Sequence, residues 1–263
     1  MAYVELLRVR TLFLWFAAMV IGLVALVTIS THGSGVHVQI GGANAGSSDL
    51  AARVGPIPAD ALLLVAGLLT VIFGSILGPS LNREWETLDL AWTQPVSRVR
   101  LALTYLSVDA GAIACAFALS LCCAFVPLAA IGFLGNVALE PDTLVVALVD
   151  LGSAFMWYAL VQAASAWYAG RAGFVVGLSW AAFTVLLLVG TTQGFGPLFH
   201  DVVLALNCFN PLAYVSSLTI QQNETVTENA ILPLTLGLRL LTVWVIGVAA
   251  CAIAIAGWKR LEV

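Results

Sequence analysis

The feature that most limits this chain is the length of its uninterrupted apolar runs. Thr11–Ser30 is about 20 residues long, which spans about 30 Å as a helix at about 1.5 Å per residue. Five further runs follow, at about 60–78, 101–134, 143–169, 172–190 and 234–257. Charged residues make up only 9% of the chain and hydrophobic ones 61%, against about 25% and 45–50% in soluble domains. Too few polar side chains exist to cover a water-facing surface, so lipid is the expected solvent. The expectation is an all-α polytopic membrane protein, residues 1–263 forming a single transmembrane domain of six helices. The run at 101–134 is long for one crossing and is expected to tilt, or to break near Pro127. No small-residue cleavage site follows Ser30, so the first run reads as a membrane span and not as a cleavable signal. The preceding "YVELLRVR" reads as an amphipathic interfacial segment leading into it.

Orientation follows from the basic residues. Arg8, Arg10, Arg83, Arg98, Arg100, Arg171, Lys259 and Arg260 fall on one side of an alternating bundle, and only Arg53 and Arg239 on the other. This places both termini in the cytoplasm, with the chain multi-pass in the cell (inner) membrane. The outer loop 31–59 is Gly/Ser-rich. The outer segment 191–233 carries two apolar stretches too short to cross, Val202–Leu206 and Pro211–Ile220, expected to lie at or dip into the outer face.

One cytoplasmic stretch departs from this apolar plan. "LNREWETLDLAWTQPVSR", Leu81 to Arg98, carries Arg83, Glu84, Glu86, Asp89 and Arg98 together with two tryptophans. Leu81, Trp85, Leu88 and Trp92 fall at i, i+4, i+7 and i+11, one stripe of a helix over about 81–94, with the charges largely on the remaining face. Pro95 ends it. An interfacial anchor for the third span is the plain reading. Three acids beside an anionic inner leaflet favour a protein partner instead.

The same residues carry a resemblance. "EWETLDLAWTQPVSR" resembles the first cytoplasmic loop of ABC-2 type transporter permeases, which commonly has an acid, then Gly-Thr-Leu-Glu, a few apolar residues and Pro-Val-Ser-Arg. Thr87, Leu88, Asp89, Pro95, Val96, Ser97 and Arg98 match, with Glu84 as the upstream acid; Glu86 stands where glycine is usual. "NPLAY", Asn210 to Tyr214, is a weaker likeness in the outer segment. The resemblance implies that Glu84, Trp85, Glu86, Thr87, Leu88, Asp89, Trp92, Pro95 and Arg98 form a coupling helix seated on a separate ABC ATP-binding subunit. It also implies a second permease copy or paralogue completing a dimer of transmembrane domains. The chain's only lysine is Lys259 and no G-x-x-x-x-G-K-[ST] occurs, so ATP and Mg are expected on the partner and no cofactor in this chain. Gly173 and Gly177 allow close helix contact, most simply within the chain.

Polar residues inside spans have a functional default. Asp109, Asp150, Gln162 and Arg239 lie within or at the entry of spans. Two readings stand: an ion pair between Arg239 and Asp150 or Asp109, or a polar route for a solute. The five cysteines form no C-x-x-C pair, and His32 and His37 sit in the Gly/Ser-rich loop, so no metal site is expected. H-E-x-x-H and G-x-S-x-G are absent, and His200-Asp201 has no nucleophile beside it in sequence. The expected function is therefore a permease exporting a hydrophobic or amphipathic solute (a drug, lipid or peptide), and not an enzyme. The alternatives are a non-transporting anchor or signalling subunit, and then a polytopic membrane enzyme. The expected surroundings are membrane lipid; nucleic acid is not an expected partner.

Overall fold

The computed structural model describes residues 2–33, 57–83, 98–130, 134–167, 171–191, 197–215, 232 and 234–260. Seven α-helices account for most of them: α1 (Ala2–Gly33), α2 (Ala59–Arg83), α3 (Arg98–Ala130), α4 (Thr143–Trp167), α5 (Ala172–Thr191), α6 (Pro197–Asn207) and α7 (Leu236–Arg260). Helices α1, α3, α4, α5 and α7 are long and apolar enough to cross a membrane; the apolar part of α2, Leu62–Gly78, is shorter. The chain is an all-α, multi-pass membrane protein. Hydrogen bonds closed within each helix satisfy a backbone that lipid cannot hydrate.

Several boundaries differ from the sequence reading. The amphipathic N-terminal segment is not a separate interfacial piece but the first turns of α1, which is continuous from Ala2. Helix α3 passes Pro127 without a break and stops at Ala130; a proline this close to the end disturbs only the final turn. Leu81, Asn82 and Arg83 extend α2 and do not begin a new helix.

Helix α4 is the centre of the bundle. Fourteen of its 25 residues are buried, as expected of a helix apolar on every side. Its two main neighbours approach through glycines. A Cβ on Gly74 of α2 would lie 2.9 Å from the backbone carbonyl oxygen of Ala154, and one on Gly152 of α4 would lie 2.7 Å from Val243 Cγ1 of α7. Only a residue without a side chain fits at either contact.

These contacts also fix direction. Gly67, Gly74 and Gly78 of α2 meet Asp150, Ala154 and Val161 in that order, and Gly152 meets Val243 while Gly257 of α7 meets Trp167. Helices α2, α4 and α7 therefore run parallel. Arg8 meets Asp109 near the start of α1 and α3, and Val20 and Ser120 line one groove further along, so these two run together. Consistent with that alternation, the connections before α2 and before α4 meet at one end. There β1 (Ile57–Pro58) pairs in parallel with β2 (Val137–Ala138), Ile57 opposite Val137.

The exterior is apolar. Trp15 of α1 is 74% exposed, and Leu14, Phe174, Leu178, Val185 and Leu188 are also exposed. Apolar faces of this extent belong against lipid or another protein. A Cβ on Gly177 would meet nothing within 4 Å, so the expected contact within the chain is not made at Gly177 among the described residues.

Candidate functional site

Burial of polar side chains singles out two clusters. The first braces three helices. Arg8 Nη2 of α1 donates to Asp109 Oδ1 of α3 at 2.8 Å, the two side chains being 5% and 0% exposed. Tyr158 Oη of α4 donates to Asp109 Oδ2 at 2.7 Å. Both carboxylate oxygens are thus held by donors from different helices, one of them charged. Such charge-assisted bonds are the strong ones, and strongest where water is absent. One helical turn beyond Tyr158 lies Gln162, fully buried; neither its amide nitrogen nor its amide oxygen has a hydrogen-bond partner among the described residues.

The expected pairing of Arg239 with Asp109 is corrected by this geometry. Arg239 Nε and Nη2 donate to the carbonyls of Leu234 and Leu232, both at 2.9 Å, where the chain enters α7. Asp109 is served from α1 and α4 instead. The reason is one of level along the bundle. Val243, a turn after Arg239, packs at Gly152, and Tyr158 is six residues further along α4, so Arg239 and Asp109 sit on the order of 15 Å apart along the helix axes. Arg8, which in sequence only marks the cytoplasmic end of the first span, is the partner. Asp150 is fully buried beside Gly67 of α2, with its backbone carbonyl accepting from Ser153 Oγ at 2.7 Å.

The second cluster fastens the segment that follows α5 back onto it. Asn210 Nδ2 donates to the carbonyl of Phe183 at 3.0 Å and to Asn207 Oδ1 at 3.0 Å, while its Oδ1 accepts from the Leu212 backbone N–H at 3.1 Å. That last bond caps the 3₁₀ turn Pro211–Ala213, with Pro211 at its first position. Asn207 Nδ2 reaches the Leu186 carbonyl at 3.4 Å. Tyr214 Oη donates to the Cys208 carbonyl at 2.8 Å, and burial pushes its hydroxyl above the ordinary phenol range, so it remains a donor. The Asn-Pro-Leu-Ala-Tyr element is therefore a folded clasp. It turns the chain back after α6, whose Leu198, Val202 and Leu206 are exposed along one face.

Between these clusters runs an aromatic seam. The Trp157 ring of α4 lies 4.4 Å from Trp180 and 5.0 Å from Phe183 of α5, and Trp180 Nε1 donates to Ser75 Oγ of α2 at 3.2 Å. This seam and the asparagine clasp are two of the contacts that hold α5 to the bundle.

Glu84, Trp85, Glu86, Thr87, Leu88, Asp89, Trp92 and Pro95 lie outside the described residues, as do Val96 and Ser97; Arg98 opens α3. What is defined is where that loop is anchored: it leaves α2 at Arg83 and returns at Arg98. Among the described residues no group of His, Cys, Asp and Glu is placed to hold a metal ion. Sequence reasoning overlooked Tyr158, Asn207 and the pairing role of Arg8. The sequence showed Arg8 only as one of the charged residues of an amphipathic N-terminal segment, and tyrosine and asparagine at apolar positions have no period of their own. No family model matches the chain, no curated protein matches it, and no solved structure matches it.

Proposed function

We propose that this chain is the transmembrane permease subunit of an ATP-binding cassette transporter, of the ABC-2 type. It exports a hydrophobic or amphipathic solute using ATP hydrolysed by a separate subunit. The observation that carries this reading is the charged, tryptophan-bearing loop with its Thr87-Leu88-Asp89 and Pro95-Val96-Ser97-Arg98 pattern, strung between two helices that both grip α4. A load applied to that loop reaches α4 by two routes: through the glycine contacts of α2 at Gly74 and Gly78, and through Asp109 of α3 on Tyr158. A stiff hub with two inputs suits rigid-body rocking of helices between states.

Six crossings fit the alternation of direction, with α2 as the sixth span. Its apolar part covers only Leu62–Gly78, at the short end of what a bilayer needs, but it runs parallel to α4 and α7 over much of its length. Both termini and the loop then face the cytoplasm, the side richer in Arg and Lys. The acids Glu84, Glu86 and Asp89 complement a basic rim on the ATPase. A second permease copy or a paralogue completes the pathway, and the exposed faces of α1 and α5 are available to it.

The test is charge reversal. Glu84→Lys with Asp89→Lys is expected to abolish co-purification of the ATP-binding subunit or ATP-dependent transport, while leaving this chain folded and inserted. Unchanged co-purification and transport in the double variant would refute the reading.

A further inference from the structure

A groove on the flank of the bundle has the features of a ligand site. Helices α1 and α2 both pack on α3 and meet each other where Phe13 and Phe16 face Phe73, with ring centroids 6.2 and 4.8 Å apart. Beyond that aromatic contact lies a cavity of about 190 Å³ between the three helices. Leu23 and Val65 form its mouth and are 48% and 46% exposed; Val20 and Ser120 form its floor and are 0% and 1% exposed. The mouth opens on the exposed apolar flank of the bundle.

The floor holds an anomaly. Buried or half-buried serines in this protein donate to a backbone carbonyl three or four residues back: Ser75 to Ile72, Ser153 to Asp150, Ser165 to Gln162, Ser179 to Val175. That is the ordinary recourse of a serine in an apolar helix. Ser120 does not follow it, and its Oγ has no hydrogen-bond partner among the described residues. Buried hydroxyls are almost always paired, and a molecule seated in the groove that Ser120 lines can supply the partner. A water molecule is a poor occupant, because it needs two to four polar neighbours and the remaining lining is aliphatic apart from the Cys123 thiol. Among the described residues no charged one lines the groove, which disfavours an ionic ligand. The volume is a little larger than the roughly 150 Å³ apolar cavity known to take benzene.

We propose that this groove binds an uncharged, membrane-partitioning molecule the size of a small alkylphenol, its single hydroxyl or carbonyl paired with Ser120 Oγ and its apolar body between α1, α2 and α3. The inference stands apart from the transporter reading, since it needs only this chain in a bilayer. Its test uses the full chain in phosphatidylcholine nanodiscs, with radiolabelled 4-ethylphenol and ethylbenzene as probes and empty nanodiscs subtracted. Wild type is expected to bind 4-ethylphenol saturably at one site per chain. Loss of one hydrogen bond in Ser120→Ala is expected to weaken that binding about five- to tenfold while ethylbenzene binding is unchanged. Ser120→Thr, which keeps the hydroxyl, restores it, and Ala124→Phe, which fills the groove, removes both probes. Non-saturable uptake by wild type, or equal 4-ethylphenol affinity in wild type and Ser120→Ala, overturns the proposal whether or not Ala124→Phe folds.

Discussion

Removing either charge of the Arg8–Asp109–Tyr158 brace alone is expected to cost more than removing the ion pair as a unit. In Asp109→Leu the buried Arg8 guanidinium loses its carboxylate at 2.8 Å, a change of the kind that costs about 3–5 kcal/mol. Tyr158 loses its acceptor at 2.7 Å in the same step. In Arg8→Met the carboxylate keeps, among the described residues, the Tyr158 bond alone, with a cost of the same order. The double variant Arg8→Met with Asp109→Leu replaces both charges by apolar groups of similar length, and its cost is expected at about 1–3 kcal/mol, that of leaving the buried Tyr158 hydroxyl without its acceptor. Tyr158→Phe removes a bond to a charged acceptor and is expected to cost about 1.5–3 kcal/mol. Reversible unfolding in mixed detergent–SDS micelles, followed by far-UV circular dichroism, measures all four differences. The cycle formed by wild type, the two single variants and the double variant gives a coupling of at least ~2 kcal/mol if the pair is buried as described. Single costs that simply add in the double variant, with a coupling under about 0.5 kcal/mol, would refute the brace.

Other contacts yield shorter tests. Gly74→Val and Gly152→Leu each place atoms where a backbone carbonyl or the Val243 side chain already stands, and each is expected to lower stability in the same micelle assay by about 1–3 kcal/mol; Gly177→Ala, with open space around it, serves as the neutral control. Asn210→Ala strips the cap from the 3₁₀ turn and removes the side-chain donor that ties it to the Phe183 carbonyl. Its cost is expected at about 2 kcal/mol, with faster proteolysis between α6 and α7, whereas Asn207→Ala is milder because its bond to Leu186 is long at 3.4 Å.

Membrane character was plain in the sequence because it depends on sums over twenty residues, and the helices follow those sums closely. Interhelical chemistry depends on single side chains and on rotation about the helix axis, which an all-apolar run does not encode. In α4 almost every position is apolar, so no stripe marks Tyr158 as the one that meets Asp109. For the same reason the ion-pair reading placed Arg239 by apparent depth opposite Asp150 or Asp109, whereas Asp109 is held from α1 and α4, and two Arg239 donors reach the carbonyls of Leu232 and Leu234 just before α7. Asn210 stood out in sequence only as part of a short pattern; the structure supplies its physical reason, a side chain that caps one element and bonds a second. Ser120 carried no signal at all, since a serine inside an apolar helix ordinarily bonds its own backbone. The loop at 84–97 is the reverse case: its pattern is legible in the sequence, and it lies outside the described residues.

The central claim is that residues 84–97 contact a separate ATP-binding subunit. Its most direct measurement is site-specific photo-crosslinking in native membranes from Trp85, Leu88 and Trp92, with Phe199 on the exposed face of α6 as the control position. The account predicts a crosslink from the three loop positions to a soluble polypeptide that carries a P-loop and hydrolyses ATP, lost when Glu84 and Asp89 are reversed, and no such adduct from Phe199. Loop positions that capture no ATP-hydrolysing partner, or that behave like Phe199, would contradict it.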